Sequence, residues 1–246
     1  MWNKPHLLNA LADLLILAAA AALIAGLAIW LVRVPALPVR QVVFTQDLPH
    51  TQRTDIEQAL PAVLRGNFFS VDLEAVRGTL ERLPWVRKVE LRRVWPARLE
   101  VTIEEHRPLA RWGEGRGELV NSFGEVFAAT PSEAELAAMP ILFGPPGTAP
   151  EVLKRYGDFV GDFQPLGQKP VQVTLSPRLA WQLKLQNGMS VDLGREQPKS
   201  PVGARLARFI EVYPETVGKR ATRPVAVDLR YPNGFAMRVA GEGKGK

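Results

Sequence analysis

The residues of this chain whose types could do chemistry are few and scattered. Its three histidines, His6, His50 and His106, offer imidazoles for a metal or for proton transfer. No two of them stand at the close spacing of a helical zinc motif. Ser70 and Ser122 lack the Gly-x-Ser-x-Gly surround of a nucleophile elbow. Glu104 and Glu105 have the chemistry of an acid/base pair, but neighbours on a strand point to opposite faces and do not converge on one atom. Gly113-Glu114-Gly115-Arg116-Gly117 has the glycines of a phosphate loop without the amphipathic helix that must follow, so it reads as a flexible hairpin tip. The sequence predicts no catalytic residue, no metal site and no cofactor, hence no enzyme.

The elements that would position any site begin with an uncharged apolar run over residues 14–32. At a helical rise of ~1.5 Å per residue it reaches roughly 28 Å, the thickness of a bilayer's hydrocarbon core. A cleaved signal peptide has a shorter apolar stretch, ~7–15 residues, after a basic start. Here only Lys4 precedes the run, so an anchor over residues 11–33 is predicted, behind a tail at 1–10. Trp30 suits an interface. Lys4 on one flank and Arg33 and Arg40 on the other leave the orientation open on charge alone. The chain contains no cysteine, which is compatible with either side of a membrane.

The 246 residues leave room beyond the anchor for two modest domains. The net charge of +6 has one local concentration, Arg87, Lys88, Arg92, Arg93 and Arg98. No nucleic-acid-binding module accompanies it, so it reads as a solvated sheet face, with anionic headgroups or an acidic partner open as ligands. No nucleic acid and no small-molecule substrate is predicted.

After a proline-containing linker at 34–38, residues 39–44 read as a strand and 45–50 as a polar turn. A helix over 53–60 ends at Pro61. A second is capped by Asp72, carries Leu73, Val76, Leu80 and Leu83 on one stripe, and stops at Pro84. Val89 and Leu91, then Leu99, Val101 and Ile103, alternate with polar residues as two half-buried strands, with Pro96-Ala97 as the turn. The order β-α-α-β-β implies a three-stranded sheet covered on one side.

Three segments in this order, Arg82-Leu83-Pro84-Trp85-Val86-Arg87-Lys88-Val89, Arg93-Val94-Trp95-Pro96-Ala97-Arg98-Leu99-Glu100-Val101 and Glu105-His106-Arg107-Pro108-Leu109-Ala110-Arg111-Trp112, resemble the FtsQ/DivIB family of bacterial divisome proteins. Leu-Pro-Trp-Val and Trp-Pro stand at the spacing of that family's polypeptide-transport-associated (POTRA) domain. Locally, Trp85 reads as a core plug and Trp95-Pro96 as a device that fixes a hairpin.

The second domain starts near Pro108. Residues 119–127 read as a hairpin and resemble the one that opens the family's β domain; Gly144-Pro145-Pro146-Gly147 is a loop. Val152, Tyr156, Phe159, Val160 and Phe163 mark a helix. Three strands follow: Val171, Val173 and Leu175; Leu179, Trp181, Leu183 and Leu185; Met189, Val191 and Leu193. The hairpin signal Asn187-Gly188 joins the last two. A helix about residues 205–213 carries Leu206, Phe209, Ile210 and Tyr213. Val225, Val227 and Leu229 form a strand, Pro232-Asn233-Gly234 turns it, residues 235–239 return, and 241–246 is a polar tail.

The expected fold is α+β: one transmembrane helix, a POTRA domain over 39–107 and a mixed, β-rich FtsQ-type domain over 108–240. The resemblance implies a non-enzymatic scaffold of the inner membrane, N-terminus cytoplasmic and bulk periplasmic, at the division septum. It implies recruitment of the FtsB–FtsL complex and a link between early division proteins and septal peptidoglycan synthesis. In this family the C-terminal strands receive FtsB beside an exposed edge. Asp228-Leu229-Arg230-Tyr231-x-x-Gly234 matches the family pattern, and Arg178, three residues before Trp181, matches a second basic position. The implied contacts are Arg178 and Arg230 toward acidic side chains, Tyr231 as the wall of an apolar pocket, Gly234 as a turn allowing close approach, and Phe235, Met237 and Val239 along the last strand. Val239 stands where well-known members carry an aromatic, which makes the pocket smaller. A POTRA-bearing translocation or assembly factor is the competing binding role, but it requires a membrane barrel for which the remaining residues are too few. A membrane-anchored cell-wall enzyme would require a carboxylate pair or zinc set.

Overall fold

The computed structural model describes residues 5–33, 41–44, 47–115, 117–218, 224–231 and 234–239. The predicted strand start at 39–40, the linker, the turn residues 45–46, Pro232-Asn233 and the tail lie outside them. Helix α1 is Pro5–Arg33. Its stretch Leu8–Trp30 is long and apolar enough to cross a membrane, and none of it is buried against protein. Leu17 and Leu23 are 72% and 74% exposed, and apolar residues run all round the helix, the pattern that a membrane span requires. The helix begins before the uncharged run and includes Asp13.

The remainder falls into two units, dividing between Glu105 and His106. In the first, β1 (Gln41–Phe44), α2 (Arg53–Ala59), α3 (Leu73–Leu80), β2 (Val86–Val94) and β3 (Arg98–Glu105) follow one another. The sheet order is β1-β3-β2, with β1 parallel and β2 antiparallel to β3. Ile56 and Leu60, Val76 and Leu80 from α3, and Val89, Leu99, Val101 and Ile103 from the strands make one buried cluster. The Asp72 carboxylate caps α3, accepting from the Glu74 and Ala75 amides at 3.0 and 3.1 Å.

Two helix ends differ from the sequence expectation. Helix α2 ends at Ala59, one residue before the expected end, and continues as a 3-10 turn, Leu60–Ala62, because Pro61 has no N–H to give the next helical acceptor. Leu83 lies beyond α3 yet still packs against the cluster. Trp85 is 9% exposed and stacks on His50 at 4.1 Å. Trp95, beside a cis peptide bond to Pro96 in the β2–β3 turn, is 68% exposed.

The second unit is built on a nine-stranded sheet of order β12-β11-β10-β9-β8-β7-β4-β5-β6. Its strands are β4 (Pro108–Trp112), β5 (Glu118–Asn121), β6 (Val126–Ala128), β7 (Ile141–Phe143), β8 (Pro170–Leu175), β9 (Ala180–Leu185), β10 (Ser190–Arg195), β11 (Pro224–Asp228) and β12 (Ala236–Val239). Helix α4 is Glu133–Ala138, α5 is Ala149–Phe163 and α6 is Val202–Thr216. Val152, Phe159 and Phe163 of α5 and Leu206 and Phe209 of α6 share one buried cluster with Val173, Leu183, Val191 and Val227 of the strands. Alternation turns Gln172, Thr174, Gln182, Lys184, Ser190 and Asp192 to the other face.

Three residues assigned to strand faces are elsewhere. Val171 and Val225 are 38% and 40% exposed, because the ladder shifts register between Pro170 and Gln172 and between Pro224 and Ala226. Each strand opens on a proline, which has no N–H to give the ladder, and the next residue bulges out. Leu179 precedes β9 in a tight turn with φ 58 and is 57% exposed. Asn187-Gly188 makes the predicted hairpin, with Gly188 at φ +86.

Candidate partner-binding edge

Five of the chemistry-bearing residues of the sequence, His50, Ser70, Glu104, Glu105 and His106, make contacts within the fold. Glu105 accepts from the Thr51 amide at 2.7 Å and faces His50 Nδ1 at 3.5 Å, while Glu104 accepts from Arg87 at 2.9 Å, so the adjacent glutamates serve opposite faces. His106 stacks on Phe127 and its Nδ1 meets the Asn121 amide nitrogen at 2.9 Å. Asn121 is fully buried and its Oδ1 accepts from the Phe123 and Glu125 amides, which shapes the β5–β6 hairpin. The Ser70 hydroxyl donates to Asn67 Oδ1 at 3.0 Å. Among the described residues no group of three His, Asp or Glu side chains is placed to hold a metal ion.

What the fold leaves open is an edge. β12 ends the sheet order and pairs only with β11 among the described residues, in the register Val227↔Met237 and Asp228↔Ala236. Its outer backbone groups therefore face no strand among the described residues, which is the condition for accepting an incoming one. Along β12 the side chains alternate. Met237 packs against the helix-covered core and Phe235, just before the strand, sets its ring edge-on to Phe209 at 5.3 Å, whereas Ala236 and Arg238 are exposed. On the uncovered face, Ala236, Arg238, Ala226, Asp228, Asp192 and Gln182 border a depression of about 350 Å³.

Arg230 stands just beyond β11 and reaches back across two strands. Its Nε donates to Asp228 Oδ1 at 2.9 Å and lies 3.6 Å from Asp192 Oδ2. Asp192 and Asp228 are register partners in β10 and β11, so the guanidinium bridges two carboxylates that would otherwise repel. The hydrogen bond from Arg230 holds the Asp228 carboxyl below its ordinary range, and the same contact pushes the guanidinium further up. The Arg230 stem crosses Gly194, φ +68, where a Cβ would stand 2.8 Å from Arg230 Cγ, so this bulge position has no room for a side chain. Arg230 thus already spends much of its charge within the fold.

The other residues of the predicted contact lie as follows. Tyr231 is 55% exposed. A Cβ at Gly234 would meet nothing within 4 Å, so the surface there is open. Val239 is half-buried opposite Pro224. Arg178 is exposed in the β8–β9 turn. Because Ala180 pairs with Arg195 and Asp192 with Asp228, that turn is at the same end of the sheet as Arg230 and Tyr231. β10 and β11 stand between β9 and β12, so Arg178 shares an end with the others and not a strand.

Sequence reasoning passed over Asp192, Gly194, Arg205 and Arg238. Asp192 was signalled by its alternation with Val191 and Leu193, which turns it to the uncovered face. Arg205 is 4% exposed and its guanidinium donates to the carbonyls of Leu193 at 2.6 Å, Arg195 at 2.7 Å and Ser200. It locks the end of β10 that Arg230 straddles, and a sequence offers no sign that a helix arginine faces inward.

Fold and edge together define a protein with a membrane-length N-terminal helix, a POTRA domain and a β-rich unit that ends in an open strand. The description "POTRA domain, FtsQ-type" matches residues 37–106, and "Cell division protein FtsQ/DivIB, C-terminal" matches residues 110–230. Proteins named cell division protein FtsQ are similar over nearly the whole chain. That of Burkholderia pseudomallei is 41% identical over 98% of this chain and 95% of its own length. That of Nitrosospira multiformis is 39% identical over 97% and 99%, and that of Bordetella pertussis 36% identical over 98% and 93%. The chain belongs to the FtsQ/DivIB family of cell division proteins.

Proposed function

We propose that this chain is a non-enzymatic scaffold of the division machinery that captures the FtsB–FtsL complex on the open edge of β12. The observation that carries the proposal is the place of β12 at the end of the sheet order, without a second strand neighbour among the described residues. FtsB adds beside it as a strand, with Arg178, Arg230, Tyr231, Gly234, Phe235, Met237 and Val239 as the contact residues. The α1 helix spans the inner membrane with the N-terminus in the cytoplasm, and the POTRA domain (39–107) and β domain (108–240) work in the periplasm at the septum, linking early division proteins to peptidoglycan synthesis. Confinement of scaffold and partners to one membrane raises their effective concentration, so moderate contacts suffice.

A paired strand contributes several backbone hydrogen bonds at a net ~0.5–1.5 kcal/mol each, an exposed ion pair ~0–1 kcal/mol, and a packed aromatic anchor ~2 kcal/mol or more on truncation. Tyr231→Ala therefore weakens FtsB binding more than Arg178→Ala, and Arg178→Glu weakens it more than either arginine truncation because repulsion replaces attraction. Arg230→Ala leaves Asp192 and Asp228 opposed, so its binding loss is read against its melting temperature. The test is partner affinity and thermal stability on the same reconstituted full-length variants. Normal binding by Tyr231→Ala, or a loss that only follows unfolding, refutes the site.

A further inference from the structure

The POTRA unit exposes an aromatic and cationic tip at the end of its sheet where the chain arrives from α1. β1 runs parallel to β3 with Gln41 opposite Arg98, so the entry point and the β2–β3 turn at residues 95–97 share that end. Seven residues, 34–40, separate Arg33 from Gln41. The eight Cα–Cα steps from Arg33 to Gln41, fully extended at ~3.6 Å each, span at most about 29 Å, which bounds the distance from this end of the sheet to the end of α1.

The tip is built before any ligand arrives. Trp95, 68% exposed, leans on Phe69, 38% exposed, and on the buried Phe68, with ring centroids 6.2 and 6.0 Å away. The buried Asn67 accepts from the Phe69 and Ser70 amides at 2.9 Å, and Arg93 donates to the carbonyls of Phe68 at 2.9 Å and Val71 at 2.7 Å. Arg92 and Arg98 are exposed on the two strands that lead into and out of the Trp95 turn, on the face turned away from Val89, Leu91 and the helices, and form no ion pair among the described residues, although Glu100 is the register partner of Arg92. Among the described residues nothing covers the outer face of the Trp95 ring or pairs with these two charges.

We propose that Phe69 and Trp95, together with Arg92 and Arg98 on the strands that run into the same end of the sheet, dock on the anionic headgroup surface of the membrane that α1 spans. The proposal rests on α1 being a membrane span. Tryptophan and arginine both favour the headgroup level, where an apolar body and a polar tip are each satisfied. The short tether keeps that surface within reach of every copy, so a patch too weak to recruit a free protein is enough to orient a tethered one. Each arginine near an anionic surface is worth about fivefold in the docked-to-undocked ratio.

Because the chain has no cysteine, one engineered cysteine gives a unique label site. The full-length protein is placed in nanodiscs with a fluorophore at Ala97→Cys or, at the opposite end of β2, at Arg82→Cys, and quenched by headgroup-labelled lipid. In discs with phosphatidylglycerol the label at 97 is quenched more than that at 82, and less in discs of phosphatidylcholine alone. Trp95→Ser lowers it, and Arg92→Gln with Arg98→Gln lowers the docked-to-undocked ratio about 25-fold, with amide protection of α3 and β3 unchanged. Equal quenching at 97 and 82, or quenching indifferent to lipid charge and to these variants, overturns the proposal. Trp95-dependent capture of an acidic division protein without quenching overturns it in favour of a protein surface. Alkaline release of every variant from the discs overturns the membrane span itself, and the docking with it.

Discussion

Replacing Arg205 with methionine tests how the sheet end beneath the proposed contact is held. The guanidinium is buried and serves three carbonyls, those of Leu193, Arg195 and Ser200, where β10 gives way to α6. Methionine keeps the length and apolar stem and removes every donor. A buried carbonyl left without its donor costs ~1–3 kcal/mol, and removing a desolvated cation returns part of that. Three such carbonyls therefore give a net loss of about 3 kcal/mol, or roughly 10 °C in the melting temperature of a unit of this size. Arg205→Lys keeps the charge with a shorter reach and fewer donors, and falls between. The assay is urea and thermal unfolding of the full chain in detergent, with amide exchange to localise the change to β10 and α6. A loss below about 1 kcal/mol in Arg205→Met, or a lysine variant less stable than the methionine one, refutes the reasoning. It would mean that the cost of burying the cation outweighs its bonds.

Leu80, fully buried in α3, becomes an unpaired buried charge in Leu80→Asp, which destabilises the first unit by about 4 kcal/mol; amide exchange shows protection lost over 41–105 and kept over 106–239. Burial, then the neighbouring Asp158, raises the Asp162 carboxyl above its ordinary value, so its ionisation weakens the fold. That stabilisation is present in full below the unfolded value and lost as pH rises through the folded one, so Asp162→Asn gains on the native chain at pH 7 and the gain vanishes below about pH 4; pH-dependent melting of the two proteins checks it.

What the sequence made legible is what repeats along it. The α1 span, the stripes of α3 and α5, and the alternation in β3, β9 and β10 each recur over several residues, and each was placed. Elements too short to show a period were not: α4 has six residues, signalled only by the Ser132–Glu135 capping box, and β7 has three. Alternation misled at Val171 and Val225 because one bulged residue after a proline shifts the face of everything before it. Leu179 looked like the first inward residue of a strand by spacing, and only its φ of 58 shows the turn. At the candidate site, β12 was legible from the turn at Pro232-Asn233-Gly234, whereas the contact role of Tyr231 came from a family pattern. The Arg230 bridge to Asp192 joins residues thirty-eight positions apart through the β10–β11 register, which no local pattern encodes.

That bridge also decides where binding energy can come from. An arginine with a free guanidinium at the sheet end would make charge the natural recognition device. Arg230 instead neutralises two aligned carboxylates of its own sheet, and Gly194 and Arg205 are both spent on keeping β10 in the place where it can do so. The parts of this end that the described residues leave unpaired are of other kinds: the outer backbone of β12, the exposed Tyr231 ring, the open surface at Gly234, and Arg178 beside β9, with β10 and β11 between it and β12. Backbone pairing fixes register without requiring charge, and an aromatic beside it adds a packed anchor. Under the proposed binding mode a partner strand is held chiefly by its main chain and one apolar side chain, and the expected outcome in a salt titration is an affinity that falls less than the net charge of the protein alone would suggest.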